Sequence, residues 1–204
     1  MPAPPQTEPR ETRAIALPLE VRAASADGAS TASGYAALFN SETSIGGYWV
    51  EAIAPGAFKQ SLEERDVIAV HSHDTGRVVG RVGAGTLTLS EDATGLAFEN
   101  LLPDTTDGRD LRVQIDRGDI AGMSFAFSAT KEQWDETVEP PKRTILEARL
   151  YEITYTATPA YPDTSVGLRS LEGARAEKRE HNKAGAIARC AARRARLRKL
   201  ERRL

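Results

Sequence analysis

The stretch Asp119-Ile-Ala-Gly-Met-Ser124-Phe-Ala-Phe-Ser128 decides the fold that we predict for this chain. From Met123 to Phe127 large apolar residues alternate with small ones, which is the pattern of a half-buried β-strand. Such a strand would direct its methionine and two phenylalanines into a core. Its other face would carry Ser124 among small residues, where another chain can lie close. A serine on such a face can serve as a nucleophile, although an ordinary solvent-facing serine fits the same pattern.

Outward from this strand, the sequence reads as short strands with two helices. A helix over residues 107–118 leads directly into the serine strand, and residues 144–158 form a long strand after it. Residues 66–74 form a further strand, and the charged segment 131–143 is expected to be a mobile loop. We therefore predict a mainly β fold of the α+β type, with an antiparallel, barrel-like core and flanking helices.

The charge distribution divides the 204 residues into three parts. Proline-rich residues 1–13 are expected to be disordered, residues 14–169 to form the folded domain, and residues 170–204 to form a basic, partly helical tail. Residues 172–204 carry 12 basic and 4 acidic side chains, whereas the rest of the chain carries 15 and 25. An acidic body thus carries a basic tail.

Composition also bears on the compartment. No apolar run approaches the roughly 20 residues that span a bilayer. The first residues lack the apolar core of a signal peptide, so we expect no membrane association. Cys190 is the only cysteine, which precludes an intrachain disulfide. A reducing, cytosol-like compartment is the expected setting.

A serine nucleophile needs a base, and usually a third group that orients the base. His71 and His73 lie in the predicted strand 66–74 and would share one of its faces. Glu152 is the first candidate for the orienting carboxylate because it lies among threonines on the non-aromatic face of its strand. Glu147 ranks second and Asp74 third. A His-x-His pair can also begin a metal site, which would need further ligands from the abundant acidic residues.

Taken in order, the motifs resemble those of the prohead (procapsid maturation) serine proteases of tailed bacteriophages, over residues 13–169. The matching pieces are Gly34-Tyr-Ala-Ala-Leu-Phe39, Glu51-Ala-Ile-Ala-Pro-Gly-Ala-Phe58, His73-Asp74, Val79-Gly80-Arg81, Leu87 to Phe98, Arg117-Gly118, Gly122 to Phe127, Leu150-Tyr-Glu152-Ile and Thr158-Pro-Ala-Tyr-Pro162. Each piece is short, and their order and spacing carry the resemblance.

The resemblance implies a fold like that of the herpesvirus assembly proteases, a β-barrel ringed by helices, with no cofactor and no metal. It implies Ser124 as nucleophile in the Gly-x-Ser-Phe step and His73 as base in the His-Asp step. Glu152 falls where an acidic third member is expected. The herpesvirus relatives use a second histidine there, which by analogy nominates His71, although His71 neighbours the base. Ser72 departs from the asparagine that often precedes the His-Asp step.

The resemblance further implies a serine endopeptidase that acts inside the immature procapsid, in the host cytoplasm. Its implied substrates are the scaffold or the scaffold-like arm of the major capsid protein, and the protease itself. Homodimerisation is a plausible control, as in the herpesvirus relatives. The basic tail could bind an acidic scaffold or be cleaved, and a nucleic-acid role ranks below both. Two alternatives stay open: a metal-dependent hydrolase built on His71 and His73, and a non-enzymatic capsid assembly or scaffold protein.

Overall fold

The computed structural model describes residues 10–17, 19–22 and 30–157, with eight further positions at 172–173, 175–176, 179–180 and 183–184. The chain divides into two units, Met1–Thr164 and Ser165–Leu204. The eight positions belong to the second unit and are helical. Residues 1–9 of the segment 1–13 that was predicted to be disordered lie outside the described residues, as does most of the predicted basic tail 170–204.

Eleven strands and two helices form the described part of the first unit, which confirms a mainly β fold. In chain order they are β1 Glu11–Ala16, β2 Glu20–Arg22, β3 Thr31–Leu38, β4 Thr43–Ile45, β5 Trp49–Ile53, α1 Lys59–Glu64, β6 Ile68–His71, β7 Asp74–Arg81, β8 Leu87–Glu91, β9 Gly95–Leu101, α2 Thr106–Arg117, β10 Gly122–Asp135 and β11 Lys142–Thr156.

These strands form two sheets. The larger has seven strands and runs β1-β10-β11-β5-β4, with β6 and then β7 attached to the other half of β11. The smaller has four strands in the order β2-β3-β9-β8. Strand β11 is the centre of the larger sheet, because β10 pairs along one of its edges while β5 and β6 share the other.

The predicted antiparallel barrel is wrong in two respects. The strands lie in two sheets rather than in one closed barrel, and β11 pairs in parallel with both β5 and β6. The physical reason is the length of β11, which at 15 residues accommodates two short strands end to end. Parallel pairing requires a long crossover between the partners, and residue alternation carries no sign of it.

The core lies between the sheets and draws on both. The ring of Phe98 from the smaller sheet meets Tyr155 from the larger sheet edge-on, with centroids 5.8 Å apart. Phe58, which precedes α1, meets Phe125 in the same manner at 5.7 Å. Met123, Phe125 and Phe127 are all buried, so the apolar face of the serine strand lies in the core as predicted.

Helix α2 directly precedes β10, the strand that contains Ser124. The Thr105 hydroxyl caps its first turn by accepting a hydrogen bond from the Gly108 N–H at 3.3 Å. Gly118 ends it in the left-handed conformation at φ 79°, which glycine adopts without steric cost. The helix thus begins near Asp107 and ends at Gly118, as predicted. Among the described residues, no helix is long and apolar enough to cross a membrane.

Two predicted segment boundaries differ from the structure. Strand β1 begins at Glu11, inside the segment predicted to be disordered, because Glu11 and Arg13 bury their charges in an ion-pair network. The loop predicted over residues 131–143 is mostly a hairpin, since β10 and β11 stay paired as far as Asp135 and Lys142. The cross-strand ion pair of Lys131 with Glu147 shows why charged residues belong to strands here.

Candidate active site

Ser124 lies near the start of β10, on the face turned away from the core. It is in register with Thr154 of β11 on one side and with Ala14 of β1 on the other. Ala14 and Ala126 are small, as the sequence predicted for this face, but the serine is only 2% exposed. Ser124 is therefore held in the middle of a sheet, with its position fixed by two neighbouring strands.

His73 does not lie in a strand, which corrects the prediction that residues 66–74 are one strand with His71 and His73 on a shared face. Strand β6 ends at His71, which is in register with Asp74 at the start of β7. Ser72 and His73 form a two-residue hairpin turn with positive φ values of 55° and 59°. Positive φ at both central positions is the signature of a type I′ turn. The turn carries the His73 imidazole clear of the strand.

Glu152 lies on β11, on the same face as Ser124, because it is in register with Ala126. Its carboxylate is 4% exposed and has a different partner for each oxygen. Oε1 lies 2.8 Å from His73 Nδ1, and Oε2 accepts from Arg10 Nη2 at 2.6 Å. Burial acts to raise the pKa of Glu152, but the hydrogen bond with His73 and the charge of Arg10 outweigh it and lower this pKa below its ordinary value.

The three side chains form one continuous hydrogen-bonded series. His73 Nε2 lies 2.8 Å from Ser124 Oγ, while His73 Nδ1 lies 2.8 Å from Glu152 Oε1. The Thr154 hydroxyl is also within 3.4 Å of Nδ1. When Nδ1 carries the proton and donates it to Glu152, Nε2 can accept the proton of the serine hydroxyl. The arrangement can therefore pass a proton from the serine hydroxyl to the imidazole while the carboxylate holds the ring in place.

A β-bulge beside Glu152 shapes this face. Ala126 is in register with Glu152, but the next residue, Phe127, is in register with Leu150, so Tyr151 is the extra residue on β11. Leu150 and Ile153 consequently both enter the core although they are three positions apart. The two-residue period of a strand predicts that Tyr151 shares a face with Ile153. Its ring instead lies 5.0 Å from the Arg10 guanidinium, beside the carboxylate of Glu152.

The other candidates for the third position lie elsewhere. Glu147 forms an ion pair with Lys131 at 3.1 Å, and the Asp74 carboxylate accepts from the N–H of Gly76 at 2.8 Å. His71 is in register with Tyr155 on the core face, and its buried Nδ1 has no hydrogen-bond partner among the described residues. Burial and the nearby charge of Arg77 lower the pKa of His71. The structure thus brings Ser124, His73 and Glu152 together and places these three candidates outside their hydrogen-bonded series.

The metal-binding interpretation of His71 and His73 finds no cluster of ligands. Within the described residues, no group of three or more His, Cys, Asp and Glu side chains is placed to hold a metal ion. The two histidines also belong to different environments, since His71 lies on the core face of β6 and His73 in the turn that follows. The spacing that suggested a pair arose from treating the turn as a strand.

Arg10 is the residue of this site that sequence reasoning missed. It lies just before β1, in the segment predicted to be disordered, and nothing in the local pattern links it to a residue 142 positions away. The same guanidinium that pairs with Glu152 lies over the Tyr151 ring. A basic residue directly ahead of an alternating strand was the only available signal, and it is a weak one.

Comparisons with known proteins agree with the resemblance drawn from the motifs. The profile of the caudovirus prohead serine protease family matches residues 17–179. The prohead protease of Enterobacteria phage HK97 is 32% identical over 146 residues, which cover 69% of this chain and 60% of that protein. The chain thus spans less than two thirds of the length of this relative. No solved structure matches the chain. Because the family profile covers most of the sequence, including Ser124, His73 and Glu152, the chain belongs to the caudovirus prohead serine proteases.

Proposed function

We propose that the protein is a serine endopeptidase of procapsid maturation, with Ser124 as nucleophile, His73 as general base and Glu152 as the orienting acid. The observation that carries this proposal is the hydrogen-bonded series from Ser124 Oγ through both nitrogens of His73 to Glu152 Oε1, with both contacts at 2.8 Å. Membership of the family supports the reaction type.

In this mechanism Ser124 Oγ attacks the carbonyl carbon of the scissile peptide bond and passes its proton to His73 Nε2. The C–N bond then breaks, and Nε2 returns the proton to the departing amine. A water molecule repeats the two steps on the acyl-enzyme and releases the new carboxyl end. Glu152 accepts the Nδ1 proton as a hydrogen bond throughout and stabilises the imidazolium that forms between the steps.

Exposure indicates the direction from which substrate arrives. Ser124 is nearly buried, whereas the His73 side chain keeps 32% of its surface exposed. The scissile bond would therefore approach from the side of the β6–β7 turn. A base in this turn is held by positive φ values that cost non-glycine residues energy, which is a form of strain found at functional sites.

The proposed substrates are the scaffold, or the scaffold-like arm of the major capsid protein, and the protease itself, inside the procapsid in the host cytoplasm. Residues 170–204 would act as a targeting segment, because their excess of basic residues complements an acidic scaffold. Homodimerisation remains part of this proposal, together with a similarity to the herpesvirus assembly proteases in which two sheets take the place of the closed barrel. Deletion of residues 170–204 should lower the amount of protease packaged into procapsids, and normal packaging would contradict the targeting role.

Labelling with a fluorophosphonate tests the nucleophile without knowledge of the cleavage site. We expect wild-type protein to gain one adduct on Ser124, and Ser124→Ala to gain none. Ser128→Ala is the matched control, since Ser128 lies on the same strand but bonds to Tyr151, and it should label normally.

The same proteins should then be incubated with the major capsid protein and examined by intact mass. Wild type and Ser128→Ala should shorten the capsid protein or themselves, while Ser124→Ala should not. Cleavage that survives Ser124→Ala would reject Ser124 as the nucleophile. Cleavage abolished by chelator would favour a metal-dependent hydrolase, and normal maturation with Ser124→Ala would favour a scaffold protein.

A further inference from the structure

We propose that Arg10 is a positioning residue of this site, which fixes the carboxylate of Glu152 in the orientation that holds His73. The inference rests on the proposed function, since it assigns to Arg10 a part in that same reaction. Arg10 would act on the base only through Glu152, and it contacts neither His73 nor Ser124 in the hydrogen bonds of the described residues.

The first support is the division of the carboxylate between two partners. Arg10 Nη2 donates to Oε2 at 2.6 Å, which leaves Oε1 for His73 Nδ1 at 2.8 Å. A carboxylate held only at Oε1 could rotate about its last bond and present either oxygen. The charge-assisted hydrogen bond from Arg10 removes that freedom, because it is among the stronger hydrogen bonds in proteins.

The second support is the stacking that holds the guanidinium. Arg10 lies over the ring of Tyr151 at 5.0 Å. Arg65 lies over the same ring at 4.8 Å but is not among the described groups that lower the pKa of Glu152, so it takes no part in this support and serves as the control. Tyr151 is the extra residue of the bulge, so the irregularity that turns Glu152 toward His73 also supplies the platform for Arg10.

The third support is the anchoring of β1, the strand that follows Arg10. The Glu11 carboxylate accepts from both Nη1 and Nη2 of Arg143, at 2.8 and 2.9 Å, and from Arg13 Nη2 at 2.6 Å. All three side chains are buried. Because β1 also pairs with β10 beside Ser124, Arg10 enters the site from a strand whose register is fixed by buried charges.

Few of the described groups account for the lowered pKa of Glu152. Among the described residues, the charged groups that act on Glu152 are His73 from the β6–β7 turn and Arg10 from the position before β1, with the Thr154 hydroxyl close by on β11. On the flanking strands its register partners are Ala126 and Ile68, which carry no charge. Arg10 is thus the only permanent cation among the groups that lower the pKa of this buried carboxyl in the described residues.

The experiment compares Arg10→Gln, Arg10→Lys and Arg65→Gln with wild type in the full chain. Arg10→Gln should lower the rate of fluorophosphonate labelling about 10-fold, the low end for a hydrogen bond to a charged group, because the Arg10 side chain is 48% exposed. The acidic limb of its pH–rate profile should move to higher pH, since Glu152 would gain a proton more readily. Arg10→Lys should restore most of both, and Arg65→Gln should match wild type.

A second readout does not depend on activity. Carbon-13 NMR of glutamate carboxyl groups should show the pKa of Glu152 rising in Arg10→Gln and returning in Arg10→Lys, with thermal unfolding confirming that both are folded. Unchanged titration of Glu152 in folded Arg10→Gln would overturn the inference. So would equal effects of Arg10→Gln and Arg65→Gln. If wild type itself fails to label, the proposed function fails, while the NMR titration still decides whether Arg10 holds the carboxylate.

Discussion

Replacing Glu152 by glutamine should be far more damaging than the loss of one charge suggests, because Arg10 dictates which way the new amide turns. Arg10 Nη2 donates to Oε2 at 2.6 Å and therefore needs an oxygen there. In Glu152→Gln the amide oxygen would take that place, which directs the NH2 group toward His73 Nδ1. An NH2 donor forces Nδ1 to accept, so the ring proton moves to Nε2 and the base can no longer accept from Ser124.

The magnitude follows from comparing the two amide orientations. The productive orientation gives up the hydrogen bond from a half-exposed arginine, worth about 1.5 kcal/mol, and sets two donors face to face. A difference of that size keeps roughly nine tenths of the molecules or more in the unproductive tautomer. This bias accounts for about 10-fold of the loss. With the lost negative charge beside the imidazolium, we expect labelling of Ser124 to fall about 10⁴-fold in total, the typical loss when the acid of such a triad becomes an amide.

The decisive variant combines Glu152→Gln with Arg10→Gln. Without the guanidinium the amide can present its oxygen to Nδ1 again, so the double variant should label about 10 times faster than Glu152→Gln alone. Arg10→Gln would then slow the wild-type enzyme and speed the Glu152→Gln enzyme. Fluorophosphonate labelling followed by intact mass measures all four rates, with Arg65→Gln in the Glu152→Gln background as control. A double variant no faster than Glu152→Gln would refute the tautomer argument.

Four further predictions concern stability. Arg143→Met leaves the buried carboxylates of Glu11 and Glu51 short of a cation, and should lower the free energy of unfolding in urea by about 3–5 kcal/mol. Burial tends to raise the pKa of Glu11, but Arg143 and Arg13 lower it overall, so the stability it contributes is present above the ordinary glutamate pKa. That stability should be lost in urea titrations as the pH falls through the lowered value. Ser72→Asn should raise the thermal midpoint by roughly 1–2 °C, because asparagine tolerates positive φ better. Gly80→Ala would drive Cβ into the side-chain amide of the buried Asn100 and should lower the free energy of unfolding in urea by about 1–3 kcal/mol.

Each of these has an outcome that contradicts it. An exposed arginine provides the control for Arg143, since Arg109→Met should change the urea midpoint little. Equal losses in the two variants would show that the buried network adds nothing. A lower thermal midpoint in Ser72→Asn would contradict the type I′ assignment. Full stability in Gly80→Ala would mean that the Asn100 side chain moves aside freely.

Residue alternation predicted the parts of this site that lie on regular strands. Ser124 and Glu152 were assigned to faces by the two-residue period, and the structure has both on the face away from the core. Alternation placed His73 wrongly in a strand. Ser72 and His73 adopt positive φ values in a turn, and no glycine at these positions indicates a turn in the sequence. Alternation also misplaced Tyr151, since a bulge adds one residue to β11 and shifts every face beyond it.

Contacts between distant parts of the chain could not be predicted in this way. The parallel pairing of β6 with β11 joins residues more than 80 positions apart, and no local pattern encodes which edge a short strand will select. Arg10 was not predicted as a site residue for the same reason, because its partners Glu152 and Tyr151 lie far along the chain on β11. The motif resemblance nominated His73 and Ser124 from two separate motifs, and the structure places His73 Nε2 2.8 Å from Ser124 Oγ.

The position of β11 explains why the three proposed catalytic residues can come from such separate segments. Antiparallel pairing with β10 sets Ser124 opposite Thr154, and parallel pairing with β6 ends at Tyr155, so the turn with His73 begins at the level of those residues. Glu152 lies two residues from Thr154 on the same face. A slip of either pairing by one residue would move a partner to the other face. The bulge at Tyr151 lets the stretches of β11 before and after it each keep the register that pairing with β10 requires.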